Sequence, residues 1–162
     1  MLQIRLLYIG KTKFRWVQTG VQHYQKEIKP FAKFDLHEVK AVSGRYPDAE
    51  LMRREAMRFK GNIDRSETVV CLDRGGQRFT SEAFARWLSS QQERGSSLAF
   101  VIGGTYGLDP EFKRKSQATM SMSAMTFPHD LVRLFFTEQL FRALAILNGH
   151  PYHKKTPTST KR

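Results

Sequence analysis

The chain is 162 residues long, with 27 lysines and arginines against 15 aspartates and glutamates, a formal net charge of +12. The length fits one domain, the single cysteine excludes an intrachain disulfide, and no apolar run is long enough to span a membrane. With a start that lacks the pattern of a signal peptide, these features predict a cytoplasmic protein. The positive charge is spread along the chain and favours a folded surface that binds nucleic acid, with general solubility as the alternative.

Strands and helices are predicted to alternate along the chain. In chain order we expect a strand at 3–9, a helix at 14–29, a strand at 34–42, a helix at 48–60, a strand at 68–73, a helix at 81–94, a strand at 98–102, a helix from 109–111 onward, a strand at 119–127 and a helix at 131–147. The third and fourth strands are apolar throughout, which is typical of a sheet covered on both faces. The pattern predicts an α/β fold with a mostly parallel sheet flanked by helices.

The ends of these elements carry polar residues and glycines. Asp48, Ser81 and Asp109 are predicted to cap the N-termini of the second, third and fourth helices. Residues 74–77, Arg-Gly-Gly-Gln, are predicted to turn the chain after the third strand. Cys71 lies inside that apolar strand, so we expect a small buried core residue rather than a nucleophile.

The last helix, at 131–147, is apolar on nearly every side, which is unusual for a helix at a protein surface. It must be buried on more than one face, and a homodimer is the simplest explanation. Glu138 and Arg142 are four residues apart in this helix and are predicted to pair.

Two glycine- and serine-rich segments lie between the fourth strand and the last helix. Residues 103–107, Gly-Gly-Thr-Tyr-Gly, follow an apolar strand, so a ligand can approach the main chain closely there. Their spacing is neither that of a dinucleotide-binding turn nor that of a P-loop. A second segment, 121–129, ends in Pro-His just before a helix. Together they predict a small-molecule site built from backbone, against the alternative of a tight turn and an ordinary half-buried strand.

Histidines and basic residues surround the last helix. His129 opens it, and the positive end of the helix should keep the imidazole neutral and able to accept a proton, although a purely structural role is equally compatible. The segment 150–155, His-Pro-Tyr-His-Lys-Lys, can stack on a base and bind phosphate, or it is a solvated tail. No cysteine or acidic cluster accompanies its histidines, so no metal is predicted. Residues 156–162 are expected to be a flexible tail.

The order of these motifs resembles one family of enzymes. The segments 102–108 and 121–129, the residues Arg133, Glu138 and Arg142, and the segment 151–154 are similar to those of the RlmH family, small bacterial methyltransferases of the SPOUT class that act on ribosomal RNA. The stretches 10–11 and 16–20 are similar as well, and the resemblance covers roughly residues 1–155.

The resemblance implies a single SPOUT domain over 1–155, with a C-terminal trefoil knot at about 68–155, and a homodimer. The substrate would be 23S rRNA in the ribosome or large subunit, methylated at N3 of a pseudouridine. The cofactor would be S-adenosylmethionine, with binding residues Leu72, Gly103, Gly104, Ser123, Ala124, Met125, Thr126, Phe127 and Pro128.

The chemistry mainly requires alignment of the methyl donor with its acceptor and loss of the N3 proton. The candidate catalytic residues are His129 and His153 for the proton, and Arg142 and Tyr152 for positioning the base and phosphate. Two alternatives remain: a non-catalytic RNA-binding or ribosome-assembly module, and a methyltransferase with the same cofactor that acts on tRNA or protein.

Overall fold

A computed structural model describes residues 1–155, and the predicted flexible tail at 156–162 lies outside the described residues. All ten predicted elements are present in the predicted order. The strands are β1 (Leu2–Ile9), β2 (Ala32–Val39), β3 (Glu67–Arg78), β4 (Ser97–Ile102) and β5 (Ala118–Ser121). The helices are α1 (Arg15–Ile28), α2 (Asp48–Asn62), α3 (Ser81–Glu93), α4 (Pro110–Lys115) and α5 (His129–Leu147).

The five strands form one sheet in the order β2-β1-β4-β3-β5, and every neighbouring pair is parallel. The α/β prediction is therefore confirmed. One core lies between the sheet and α1, α3 and α5, where Phe100 of β4 packs on Phe136 with 4.5 Å between ring centroids. A smaller core lies on the other face under α2 and α4 and contains Phe59, Cys71 and Phe112. Burial of Cys71 is thus confirmed, and the apolar strands are covered on both faces as predicted.

Two predicted helix caps are wrong, and one is confirmed. Thr80 rather than Ser81 caps α3, since its side chain accepts a hydrogen bond from the Ala83 amide at 3.1 Å. Ser81 instead donates to the Gln139 side chain, at 2.8 Å, and so ties α3 to α5. Asp48 is the first residue of α2 and makes no cap bond there. Asp109 caps α4 as predicted, accepting from the backbone N–H three positions on.

Several strand boundaries also differ from the prediction, and β2 spans Ala32–Val39 instead of the expected 34–42. The strand expected to reach residue 127 ends at Ser121, because serine side chains take over the backbone bonds beyond it. The Ser121 hydroxyl donates to the Ser123 carbonyl at 3.0 Å, and the Ser123 hydroxyl accepts from the Met125 amide at 3.0 Å. At 74–77 the chain does not turn away from the sheet: β3 continues to Arg78 through an irregular stretch, across which its pairing with β5 shifts register.

Helix α5 lies between α1 and α3, and nine of its 19 residues are buried. Among them is Arg133, whose side chain is 2% exposed. Its guanidinium donates to the Ile9 carbonyl and the Thr12 hydroxyl, both at 2.8 Å, and lies over the Tyr8 ring. Asp130 is 3.5 Å away and completes the arrangement. This arginine fastens the start of α5 to the segment that follows β1.

We expect Arg133→Leu to lower the free energy of unfolding by about 3–5 kcal/mol, because it leaves the buried Asp130 carboxylate without its cation. Urea unfolding would measure the loss. Arg114→Leu is the matched control, since Arg114 is exposed and its partner Glu111 is 3.8 Å away, and it should cost less than about 1 kcal/mol. Equal losses in the two variants would contradict this account of Arg133.

Candidate active site

A cavity of about 670 Å³ opens where β4 ends and its pairing with β3 stops, at Leu72 and Ile102. The carboxyl ends of parallel strands are the usual place for a ligand in a sheet of this kind. One wall is the turn 102–107, and the other is the loop 122–129. We call this cavity the glycine-turn pocket. Of the predicted site residues, it is lined by Leu72, Gly103, Gly104, Ser123, Met125, Thr126, Phe127, Pro128 and His129. Ala124 is exposed and is not among the lining residues.

A side chain at Gly103 or Gly104 of this turn would collide with neighbouring atoms. A Cβ on Gly103 would lie 2.5 Å from the carbonyl carbon of Gly107, which is backbone and cannot swing aside. A Cβ on Gly104 would lie 2.7 Å from both carboxylate oxygens of Glu55. The turn closes with the Gly107 amide donating to the Gly104 carbonyl at 3.0 Å, and Gly107 itself has a φ of +83°. This wall of the pocket therefore combines main chain without side chains at its glycines with the residues Thr105 and Tyr106.

Glu55 is a residue of this site that the sequence analysis missed. It lies on α2, is only 6% exposed, and accepts a hydrogen bond from the Gly104 amide at 3.3 Å. Burial raises the pKa of its carboxyl, and the hydrogen bond opposes that rise only in part. Within residues 1–155 no ion pair includes Glu55. No local pattern in the sequence singles out this acid, because its partner Gly104 lies 49 positions further on.

A raised carboxyl pKa means that the folded chain binds a proton more readily than the unfolded chain, so this group lowers stability as pH rises above about 4.5. We therefore expect Glu55→Gln to raise the melting temperature at pH 7 by about 2–4 °C, the shift that about 1 kcal/mol gives in a chain of this size. The gain should vanish near pH 4. Calorimetry at both pH values measures it, with exposed Glu50→Gln on the same helix as control. A less stable Gln variant at pH 7 would show that the charge is stabilising.

The opposite wall, loop 122–129, is held by contacts at several points. Arg74 of β3 donates to the Thr126 hydroxyl at 3.0 Å. The Phe127 ring packs edge-on against Phe135 of α5, with 5.3 Å between centroids. Ser123 anchors the middle through its bond with the Met125 amide. The irregular backbone that replaces the predicted strand thus presents an ordered wall to the pocket.

His129 is the first residue of α5 and lines the glycine-turn pocket. The pKa of its imidazole is lowered, first by burial and then by the positive charge of Arg133. The ring is therefore neutral at pH 7 and able to accept a proton, in agreement with the prediction of a neutral imidazole. Its neighbour Asp130 opposes the shift.

The remaining candidate residues form a second group at the other end of α5. Arg142 pairs with Glu138 one turn earlier, as predicted, and its guanidinium lies 4.9 Å from the centroid of the Tyr152 ring. The Tyr152 hydroxyl donates to Glu138 at 2.9 Å and lies 3.3 Å from the Tyr24 hydroxyl. Burial, reinforced by these two partners, raises the pKa of the Tyr152 phenol well above its usual range, so it remains protonated.

His153 joins this group, and its partners define its tautomer. Its Nδ1 lies 3.3 Å from a guanidinium nitrogen of Arg142, which can only donate, so Nδ1 accepts. Its Nε2 lies 2.9 Å from a carboxylate oxygen of Glu82, so Nε2 carries the proton. The segment 150–155 is therefore docked at its Tyr152 and His153 side chains. In this arrangement the accepting nitrogen of His153 is already occupied.

His129 and the Arg142 group are far apart within the chain. His129 and Arg142 are thirteen positions apart on α5, which is roughly 20 Å at 1.5 Å per residue. Arg142 and Glu138 border a second cavity, of about 510 Å³, rather than the glycine-turn pocket. The two cavities share Met122, Ser123 and Phe127 as lining residues. The chain thus brings Arg142, Tyr152 and His153 together but leaves His129 apart from them.

Within residues 1–155, no group of three or more His, Cys, Asp and Glu side chains is placed to hold a metal ion. No helix in the same residues combines the length and the hydropathy needed to cross a bilayer.

The chain is similar in sequence and in fold to proteins described as methyltransferases or methylases. The family model described as "Predicted SPOUT methyltransferase" matches residues 2–153. A protein of Geotalea daltonii named "Ribosomal RNA large subunit methyltransferase H" is 36% identical over 94% of this chain and 99% of its own length. A protein of the same name from Streptococcus mutans is also 36% identical, over 94% of this chain and 100% of its own. A solved structure, a probable methylase family protein from Haemophilus influenzae, has a TM-score of 0.57 at 15% identity, covering 98% of this chain and 74% of the other.

Proposed function

The chain belongs to the SPOUT methyltransferase family, and on that premise we propose that it transfers a methyl group from S-adenosylmethionine to RNA of the large ribosomal subunit. The name shared by the relatives at 35–36% identity supports the substrate class. The more specific proposal is methylation of N3 of a pseudouridine in 23S rRNA. The formal charge of +12 supports a polyanionic substrate.

The glycine-turn pocket carries the proposal for the cofactor. Its volume of about 670 Å³ lies in the range of small-molecule sites. The main chain at Gly103 and Gly104 is bare because a Cβ would collide there, so backbone groups can contact a ligand directly. Leu72 and the loop 123–128 would hold the cofactor from the other sides. When bound, S-adenosylmethionine supplies a methyl group already activated by its sulfonium.

We further propose that residues 1–155 form a single SPOUT domain whose part from about 68 to 155 is knotted. The packing of β3 on β5 supports a tightly threaded C-terminal half. A Cβ on Gly76 would lie 2.6 Å from the carbonyl of Thr119, so the two strands meet with no side chain between them. They also pair on both sides of the irregular stretch in β3.

A homodimer would bring the two groups of candidate residues together. Within one subunit they are roughly 20 Å apart along α5. Phe135 of α5 is exposed, and Leu131 and Leu134 are only partly buried, so an apolar face of this helix remains uncovered in the single chain. A second copy packed on that face would complete the helix and place its own Arg142 group against the first subunit's pocket.

The residues have distinct proposed roles in the transfer. Arg142 is a fixed cation held by Glu138 and stacked near Tyr152, which suits it to bind a phosphate or an anionic base. When the methyl group moves to N3, the N3–H proton must leave. His129 has a neutral ring with a lowered pKa and can accept that proton. His153 takes this role only if its bond with Arg142 opens.

The proposed function is tested by incubating the purified protein with S-adenosylmethionine carrying a labelled methyl group and large ribosomal subunits. Label should enter 23S rRNA, and mass spectrometry should place it at N3 of a pseudouridine. Label in tRNA or protein would move the substrate to another class. Salt-sensitive RNA binding without any transfer would support the non-catalytic module.

A further inference from the structure

An exposed aromatic pair lies at the start of α1. The Phe14 and Trp16 rings are stacked, with 5.5 Å between centroids and 25° between planes. Their side chains remain 48% and 58% exposed. Neither residue lines either of the two cavities already described. About half of the surface of each residue thus faces solvent, and within residues 1–155 neither ring stacks on a third aromatic side chain.

The pair is held rigidly beside the candidate active site. The amides of Lys13 and Phe14 both donate to one carboxylate oxygen of Asp130, at 2.7 and 3.2 Å. Asp130 is buried and follows His129, a lining residue of the glycine-turn pocket. Thr12, the residue before Lys13, accepts a hydrogen bond from the Arg133 guanidinium. The main chain at Lys13 and Phe14 is therefore fixed to the start of α5, one residue from His129 of the pocket lining.

Cations are interleaved with the two rings. Lys11, Lys13 and Arg15 are exposed and make no ion pair within residues 1–155. No acidic residue occurs between positions 11 and 26. A second copy meeting this segment symmetrically would bring like charges together, which opposes association. A nucleic acid offers both phosphates for the cations and a base face for the rings.

We propose that the Phe14–Trp16 pair is a stacking platform for an unpaired nucleobase of the RNA substrate, next to the target nucleotide. The proposal rests on the proposed function for the identity of the RNA. Stacking on an aromatic ring tolerates any base, so the platform would contribute affinity and alignment rather than sequence preference. The flanking cations would hold the neighbouring phosphates.

Trp16→Ala tests the platform through the KM for large subunits in the methyl-transfer assay. The KM is expected to rise about tenfold, the effect of losing one base–aromatic stack, while cofactor affinity and the oligomeric state by light scattering stay unchanged. Trp16→Phe should recover most of the loss, because it keeps a stacking face. Met57→Ala removes an equally exposed apolar side chain from α2 and should leave the KM unchanged.

A second measurement does not depend on methyl transfer. Trp87 is the other tryptophan of the chain, so Trp87→Phe leaves Trp16 as the only indole. Binding of a single-stranded oligonucleotide should quench the fluorescence of Trp16. If the protein shows this quenching but no methyl transfer, the proposed enzymatic function fails while the platform stands. An unchanged KM in Trp16→Ala together with no quenching would overturn the platform. A change of oligomeric state in Trp16→Ala would assign the surface to a second copy instead.

Discussion

Gly103→Ala is expected to weaken S-adenosylmethionine binding roughly 100-fold, a loss of about 2.7 kcal/mol. The added Cβ would lie 2.5 Å from the Gly107 carbonyl carbon and 2.8 Å from the Leu108 nitrogen, so the turn must open. Because the obstructing atoms are backbone, no rotamer change relieves the contact. Opening the turn moves the wall that is proposed to contact the cofactor. Calorimetric titration with S-adenosylmethionine measures the loss.

Gly61→Ala is the matched control for this substitution. Gly61 lies in α2, and nothing would approach its Cβ within 4 Å. The control should bind the cofactor as the parent chain does, and circular dichroism should show that both variants keep their helices. Unchanged affinity in Gly103→Ala would show that the turn does not form the binding wall.

Arg142→Met is expected to lower kcat for methyl transfer by about 10²–10³-fold while cofactor affinity stays within twofold. The guanidinium is bonded to Glu138, approaches His153 at 3.3 Å and lies over Tyr152, so one substitution removes the cation and releases its neighbours. Arg142→Lys should recover little, because an ammonium cannot reproduce the planar fork. Single-turnover kinetics separates this effect from binding.

Arg54→Met provides the comparison for Arg142→Met. Arg54 also pairs with a glutamate four residues earlier on its helix, Glu50, but the pair is exposed and distant in sequence from every predicted site residue. It should change kcat by less than twofold. A similar loss in both variants would mean that charge in general, rather than the Arg142 group, limits the reaction.

Sequence periodicity predicted the strands and helices well where burial decides their form. The apolar runs of β3 and β4 and the nearly uniform apolar surface of α5 each have a direct counterpart in the packing. Periodicity failed after Ser121, where alternating Met and Ser predicted a strand. Serine hydroxyls bond to the backbone there and release the chain into a loop.

The parts of the site that depend on local sequence patterns were predictable, and the parts that depend on tertiary contacts were not. The glycines at 103–104 and the loop before α5 were visible as local patterns, and they do line one cavity. Glu55 was not visible, because its contact with Gly104 joins positions 49 residues apart. The separation of His129 from Arg142 follows from helix geometry once α5 is taken as one straight helix. The His153 tautomer depends on tertiary contacts with Arg142 and Glu82 alone.

A crystal structure of the protein with S-adenosylmethionine would test the proposed cofactor site directly. We expect density for the cofactor between the turn at Gly103–Gly104 and the loop 123–128, in contact with main-chain atoms of both. Cofactor bound elsewhere on the chain, or no bound cofactor at millimolar concentration with that turn and loop still facing an open cavity, would show that the glycine-turn pocket is not the cofactor site.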